Sequence, residues 1–482
     1  MPARESAELH IDRTTNLETA ETGDDGVVAE VHARPERPFA TAALAMRVVV
    51  TVPVLSRDHS RSQRQELPAK HTPEDRLSEA TGLARAIDLE VVEAAIVPVP
   101  TPRPSTLFGL GKVEELARIV EDRQAGLVIV DHALTPVQQR NLEKELKAKV
   151  LDRTGLILEI FGRRARTKEG SLQVELAHLS YQRSRLVRSW THLERQRGGR
   201  GFLGGPGEAQ IELDRRMLQD RIDAIKEDLA KVARTRALHR SGRERASTPV
   251  VALVGYTNAG KSTLFNRLTG ASVLAEDQVF ATLDPTMRTV KFASGRKVIF
   301  SDTVGFISDL PTGLVAAFRA TLEDVIEADI ILHVRDISHP ETAAQREDVE
   351  HVLGSLGVNT AAAHGAIVEV WNKIDRLAPE DREVRVAETA FADRAPVGVS
   401  ALTGEGIDGL IAAIEARLGT GDAIIDVDVP TGDGRTLAWL HAEADVLATD
   451  TGTDGAARVT VRIPAETRER FLGRLRKAGV AV

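Results

Sequence analysis

The chain has 482 residues, with 63 Lys and Arg against 71 Asp and Glu for a net charge of −8, and 42% of it is hydrophobic. Such a length holds about three domains, and the acidic average counts against a surface coated in basic residues for nucleic acid. The absence of cysteine excludes disulfides, zinc-thiolate sites, iron–sulfur clusters and a cysteine nucleophile. No apolar run approaches the ~20 residues of a membrane span, and the amino terminus has no apolar stretch of signal-peptide type. The expectation is a cytoplasmic protein.

Residues 1–45 carry nine acidic and four basic groups and few bulky apolar ones. They are predicted to be a disordered acidic tail, because they bury too little surface to offset ordering entropy. An N-terminal α/β domain is predicted over 46–162. It opens with a strand at Met46–Leu55 and a polar link to about residue 85. EVVEAAIVPVP from Glu90 then reads as a strand. In KVEELARIVEDRQA the apolar Val113, Leu116, Ile119 and Val120 fall at helical spacing. GLVIVDHA is a strand, and TPVQQRNLEKELKAK starts a helix with Pro after a Thr cap. KVLDRTGLILEIF reads as a return to strand.

A basic helical hairpin is predicted over 163–246. Leu172, Leu176, Leu179, Leu186, Trp190 and Leu193 follow heptad spacing, with Arg183 at the skipped core position. Ile211, Leu218, Ile222, Ile225, Leu229 and Val232 do the same in the second arm, so the two arms should pair as an antiparallel coiled coil. Between them lies RGGRGFLGGPGE, with six glycines and one proline in twelve residues, a bendable tip. Over 249–419 strands and helical stretches alternate as in a mostly parallel sheet with crossover helices. A small C-terminal α+β module is predicted over 421–482, with a helix from Ala465 to Ala478.

Chemistry concentrates at Gly255-Tyr256-Thr257-Asn258-Ala259-Gly260-Lys261-Ser262, which follows the strand VVALV and opens the helix STLFNRLTG, with Thr263 in its first turn. Gly-x-x-x-x-Gly-Lys-Ser in that context is a phosphate loop. Its glycines admit backbone N–H groups to phosphates, and the helix amino terminus adds partial positive charge. Lys261 would reach the β- and γ-phosphates and the Ser262 hydroxyl would ligate Mg²⁺. Downstream, Asp302 and Gly305 in SDTVGF would hold Mg²⁺, through water, and meet the γ-phosphate. Asn372-Lys373-Ile374-Asp375 ends another strand. The Asp375 carboxylate would accept from guanine N1–H and the 2-amino group, which adenine lacks. Asn372 would tie this loop to the phosphate loop, the Lys373 stem would cover the base, and Ser400-Ala401-Leu402 would offer a backbone N–H to guanine O6.

Together these segments resemble a translation-factor-type P-loop GTPase with GTP as substrate. The resemblance places a first switch at Phe280-Ala281-Thr282 and makes Thr282 the third Mg²⁺ ligand and γ-phosphate sensor, with Thr286 a competing candidate. Lys261, Thr282 and Gly305 form the catalytic set it implies. Phe306 stands where many small GTPases carry a water-orienting glutamine. Hydrolysis is therefore expected to be slow until a partner completes the site, unless Phe306 only packs and another side chain orients the water.

The flanks narrow the class. DRTGLILEIFGRRARTKEGSLQVEL (152–176), RQRGGRGFLGGPGEAQIELDRR (195–216), Gly109-Leu110-Gly111-Lys112 and Gln138-Gln139-Arg140-Asn141 closely resemble the HflX family. That resemblance implies binding to the large ribosomal subunit and its ribosomal RNA and dissociation of stalled or idle ribosomes; a monomer is expected. The alternatives are a ribosome-assembly GTPase or an RNA-remodelling ATPase. Residues 161–207 hold ten basic and three acidic groups, suited to RNA phosphates or else a solvated helix face. Residues 160–245 have 20 basic and 11 acidic groups, a net of +9, which leaves −17 for the rest. The acidic average conceals a basic arm.

Overall fold

The computed structural model describes residues 46–56, 71–196, 206–245, 248–271, 280, 282, 285–309, 322–358, 367–389, 395–419, 423–430, 432–452, 456–463 and 468–478. The expected tail at 1–45 and most of the glycine-rich tip lie outside the described residues, as do the side chains of Leu186, Trp190, Leu193 and Ile211.

Strands β1 (Arg47–Leu55), β2 (Glu90–Val99), β3 (Leu127–Val130) and β4 (Lys149–Asp152) form a parallel sheet in the order β2-β1-β3-β4. Both faces are covered, which is why β3 reads as an unbroken apolar run. Helices α1 (Pro73–Arg85) and α4 (Arg153–Arg164) pack on one face. Helices α2 (Leu110–Asp122) and α3 (Pro136–Leu146) pack on the other.

Two expectations need correction here. The link expected after Leu55 contains α1, whose start is set by Pro73 and by Thr72 Oγ1, which accepts from the Asp75 amide at 3.1 Å. Its buried stripe is only Ala80, Leu83 and Ala84, too thin a pattern to announce a helix. The segment 153–161 is helix, not strand. Asp152 ends β4 and caps α4 by accepting from the Gly155 amide at 2.8 Å. Leu156, Ile157, Leu158, Ile160 and Phe161 are all buried, and this nearly continuous apolar run masks the exposed face of α4 at Glu159, Gly162 and Arg163.

Helices α5 (Lys168–Gln196) and α6 (Pro206–Arg245) form the arm. On α6, Ile222 and Ile225 are buried while Leu218, Leu229 and Val232 are half-buried beside exposed neighbours. Arg221 pairs with Glu175 at 2.8 Å across the seam, and Arg183, at the skipped heptad position, donates to Gln219. On α5 the expected core residues Leu172, Leu176 and Leu179 are half-buried, and full burial falls instead to Val174 and Ala177. These join the α4 core, because α5 packs against α3 and α4 as well as α6.

The next sheet has the order β10-β9-β8-β5-β7-β6. It is built from β5 (Val250–Gly255), β6 (Thr286–Lys291), β7 (Lys297–Asp302), β8 (Ile330–Asp336), β9 (Ile367–Asn372) and β10 (Val397–Gly398), parallel except for β6. Its helices are α7 (Lys261–Thr269), α8 (Glu323–Ile326), α9 (Thr342–Ser355), α10 (Pro379–Thr389) and α11 (Ile407–Leu418). Strand order reverses beside β5, which opens a crevice at the carboxyl ends of the strands. Finally β11 (Ala423–Val429), β12 (Asp445–Thr451) and β13 (Ala457–Ile463) form an antiparallel sheet. It is covered by α12 (Gly434–Glu443), which the sequence reading did not foresee, and α13 (Arg468–Ala478). Among the described residues no helix is long and apolar enough to cross a membrane.

Candidate nucleotide-binding site

The loop between β5 and α7 is shaped by close backbone approach. A Cβ on Gly255 would stand 2.1 Å from the Val334 carbonyl oxygen of β8. Gly260 has a φ of +90°, and its Cβ would meet Asn372 Nδ2 at 2.2 Å. Helix α7 starts without a side-chain cap, so its first N–H groups are available to an anion. Over this loop lies a cavity of about 280 Å³.

Lys261 Nζ donates to the carbonyl oxygens of Tyr256 at 2.9 Å and Gly255 at 3.2 Å. Burial pushes its pKa down to about 8, with the Asp302 carboxylate opposing that shift. Phosphates placed beside it would raise the value again. Nucleotide binding at about pH 9, above the value of the free protein, should therefore take up close to one proton. Calorimetry in two buffers of unlike ionisation enthalpy measures this uptake. A Lys261→Met variant should lose it, and equal apparent heats in both buffers for the unaltered protein would contradict the assignment.

Ser262, Thr282 and Asp302 converge at the inner wall. Ser262 Oγ lies 2.8 Å from Thr282 Oγ1, and both hydroxyls donate to Asp302 Oδ2, at 2.7 and 2.9 Å. Among the described residues Asp302 Oδ1 has no hydrogen-bond partner, and burial raises the carboxyl pKa. Two hydroxyls and a carboxylate with one unpaired oxygen fit a small hard cation such as Mg²⁺, which prefers oxygen donors. Thr286, the competing candidate, faces Asp302 across the β6–β7 ladder and does not line the cavity.

At the opposite end Asn372 Nδ2 donates to the Ala259 carbonyl at 2.8 Å, and its Oδ1 accepts from the Ala401 amide at 3.0 Å. One carboxamide thus joins three segments distant in sequence. The Ala401 N–H, one of the amides in the Ser400–Leu402 segment expected to reach a purine oxygen, is engaged in this bond. Lys373 has a φ of +64°, and its Nζ reaches the Asn258 carbonyl at 2.7 Å and Asp336 at 2.8 Å. Asp375 is exposed on the cavity wall.

The cavity gathers Thr257, Asn258, Gly260, Lys261, Ser262, Thr263, Phe280, Thr282, Gly305, Asn372, Lys373, Asp375, Ala401 and Leu402. Thr303 and Arg376 also line it and carried no motif signal. Gly255, Ala259, Asp302 and Ser400 stand behind the wall; the Ser400 hydroxyl orders its own loop by accepting from the Thr403 amide at 3.1 Å. Tyr256 turns its side chain away from the cavity to Glu79 of α1, at 2.8 Å.

Phe306 also faces away. Its ring is buried with Val304, Ile307, Leu322 and Val325. Its amide donates to Gly255 at 3.1 Å and its carbonyl accepts from Thr257 at 2.7 Å, a parallel bridge onto the phosphate loop. A packed ring is common to both readings of this residue, which differ in whether a partner or another side chain orients the water.

A sheet switch point, an uncapped helix start and a carboxylate exposed at the far end of the cavity are features of the P-loop GTPase class. Family models agree along nearly the whole described chain. They are GTP-binding GTPase N-terminal over 74–162, GTP-binding GTPase Middle Region over 164–243, 50S ribosome-binding GTPase over 250–373 and HflX C-terminal domain over 385–480. The chain belongs to the HflX family. It is 52% identical over 406 residues to the GTPase HflX of Magnetococcus marinus, covering 84% of this chain and 92% of that one. The GTPase HflX of Escherichia coli is 43% identical over 388 residues, covering 80% and 89%. A GTP-binding protein from Sulfolobus solfataricus, solved in complex with GDP, is 22% identical with a TM-score of 0.41 and covers 77% of this chain and 98% of its own.

Proposed function

We propose that this GTP hydrolase uses its basic arm to bind the large ribosomal subunit and to dissociate stalled or idle ribosomes in a GTP-dependent manner. The observation that carries the reading is the junction of a guanine-type site with an arm whose 161–207 segment holds ten basic and three acidic residues. Guanidinium groups pair with RNA phosphates and stack on unpaired bases. Charges further apart than a Debye length of about 8 Å are screened, so the arm rather than the net charge governs an encounter with RNA.

In the GTP site the α7 amino terminus and the loop amides hold the phosphates, and Lys261 swings from the Gly255 and Tyr256 carbonyls to the β- and γ-oxygens. Ser262, Thr282 and, through water, Asp302 would hold Mg²⁺, which neutralises charge on the leaving diphosphate when bound. Gly305 offers its amide to the γ-phosphate, and Thr282 ties the first switch to the same group. Asp375 accepts from the guanine edge while Asn372 holds the three loops together. Water attacks the γ-phosphorus and GDP leaves. Phe306 is turned into the core, so it supplies no side chain to orient that water.

Turnover should therefore be slow in the isolated protein and rise with purified large subunits. Deleting Gly198–Gly207 should abolish this stimulation while GTP affinity is retained. Tens of turnovers per second without a partner, or full stimulation of the deletion variant, would sink the proposal. A ribosome-assembly GTPase would instead respond to immature subunits.

A further inference from the structure

Helix α4 touches both segments that face the γ-phosphate end of the cavity. In its first turn Arg153 is buried, and its Nη2 donates to the Ser308 carbonyl at 2.7 Å and the Ser308 hydroxyl at 2.9 Å. Ser308 stands three residues after Gly305. Arg153 also pairs with Asp131, which follows β3, and with Glu79 of α1 at 3.1 Å. Glu79 closes the circuit: it accepts from Tyr256 Oη at 2.8 Å and from Ser308 Oγ at 2.5 Å, while Tyr256 Oη accepts from the Ser308 amide at 2.8 Å. The phosphate loop and the Gly305 segment are thus bound to one buried group of residues contributed by the first sheet and its helices. Eight residues on, about 12 Å along the helix, Phe161 meets Phe280 edge-on with ring centroids 4.7 Å apart. Phe280 is buried at a φ of +57°, two residues before Thr282. A non-glycine residue in that region of backbone space is held by its surroundings. The Asp152 cap of the same helix accepts from Tyr181 and Arg185 of α5, each at 2.6 Å.

We propose that Arg153 and Phe161 are positioning residues for GTP hydrolysis: from one rigid helix they set the places of Gly305 and Thr282, and the Asp152 cap connects that helix to the arm. This rests on the reading of Gly305 and Thr282 as γ-phosphate contacts. A pair of buried networks on one helix favours joint rather than independent movement of the two segments. GDP lacks the γ-phosphate, so the positioning acts on GTP and spares GDP.

The test measures GTP and GDP affinity, kcat and KM on the full chain for Arg153→Lys, Tyr256→Phe, Phe161→Leu and Thr282→Ala. Lysine keeps the charge of Arg153 but has no fork to span Asp131, Glu79 and Ser308. The first three variants should lower the preference for GTP over GDP by about tenfold and lower kcat, with GDP affinity essentially unchanged. Arg153→Lys combined with Phe161→Leu should cost less than the product of the single effects. Should Arg153→Lys fail to fold, Tyr256→Phe and Phe161→Leu decide the matter. Folded variants with an unaltered GTP-over-GDP preference, beside a Thr282→Ala that loses it, would overturn the proposal. A Thr282→Ala that also keeps the preference would instead remove the reading of the site on which the proposal stands.

Discussion

Asp375→Asn is expected to weaken GTP binding by about 10²–10⁴-fold, since each hydrogen bond to a charged acceptor contributes about 1.5–3 kcal/mol and the guanine edge makes two. The carboxamide can accept from only one of the two donors and turns its own N–H groups toward the base. Xanthosine triphosphate, which carries an oxygen where guanine has the 2-amino group, should regain affinity in the same variant. Asp375 is exposed on the cavity wall, so its replacement leaves no orphaned charge in the core. Displacement of a fluorescent nucleotide by GTP, xanthosine triphosphate and ATP gives the three affinities side by side. A variant that binds GTP as the parent does would remove Asp375 from the base site.

The second large effect belongs to Lys261→Ala, which should lower kcat by about 10²–10³-fold, the usual consequence of losing one preorganised donor to transition-state charge. In the structure Lys261 is buried beside Gly255 and Tyr256 and within the field of Asp302. Its side chain needs only to rotate out of the loop to meet the phosphates. Single-turnover hydrolysis at saturating GTP isolates this step from binding. Unchanged turnover would mean that the cation acts only in ground-state affinity.

Much of the site was legible because its chemistry is written in contiguous residues. The phosphate loop, Asp302 with Gly305 and Asn372 with Asp375 each sit at a strand end, where a short motif and its structural setting coincide. Thr282 was placed by resemblance, and the structure brings its hydroxyl within 2.8 Å of Ser262. What was not legible depends on distant pairings. Nothing in the sequence links Glu79 to Tyr256, 177 residues on, or Arg153 to Ser308, 155 residues on. Phosphate-loop motifs leave their second residue unspecified, so the outward turn of Tyr256 had no signal.

The fold shows the same division. Helices with a clean apolar stripe, such as α2 with Val113, Leu116 and Val120 buried, were apparent from spacing. Helix α4 reads as a strand because five of the six residues from Leu156 to Phe161 are apolar, and α1 gives little signal because two of its three buried residues are alanines. Along the arm the heptads described α6 well. They describe α5 less well, because α5 packs against α3, α4 and α6 and a heptad seam serves one partner.

Gradient sedimentation of assembled ribosomes with the full-length protein and a non-hydrolysable GTP analogue examines partner and activity together. The expected result is a shift from the assembled particle to free subunits, with the protein on the large subunit, no shift with GDP, and none for the protein lacking Gly198–Gly207. Assembled ribosomes that stay intact while the protein gathers on immature subunits would contradict it.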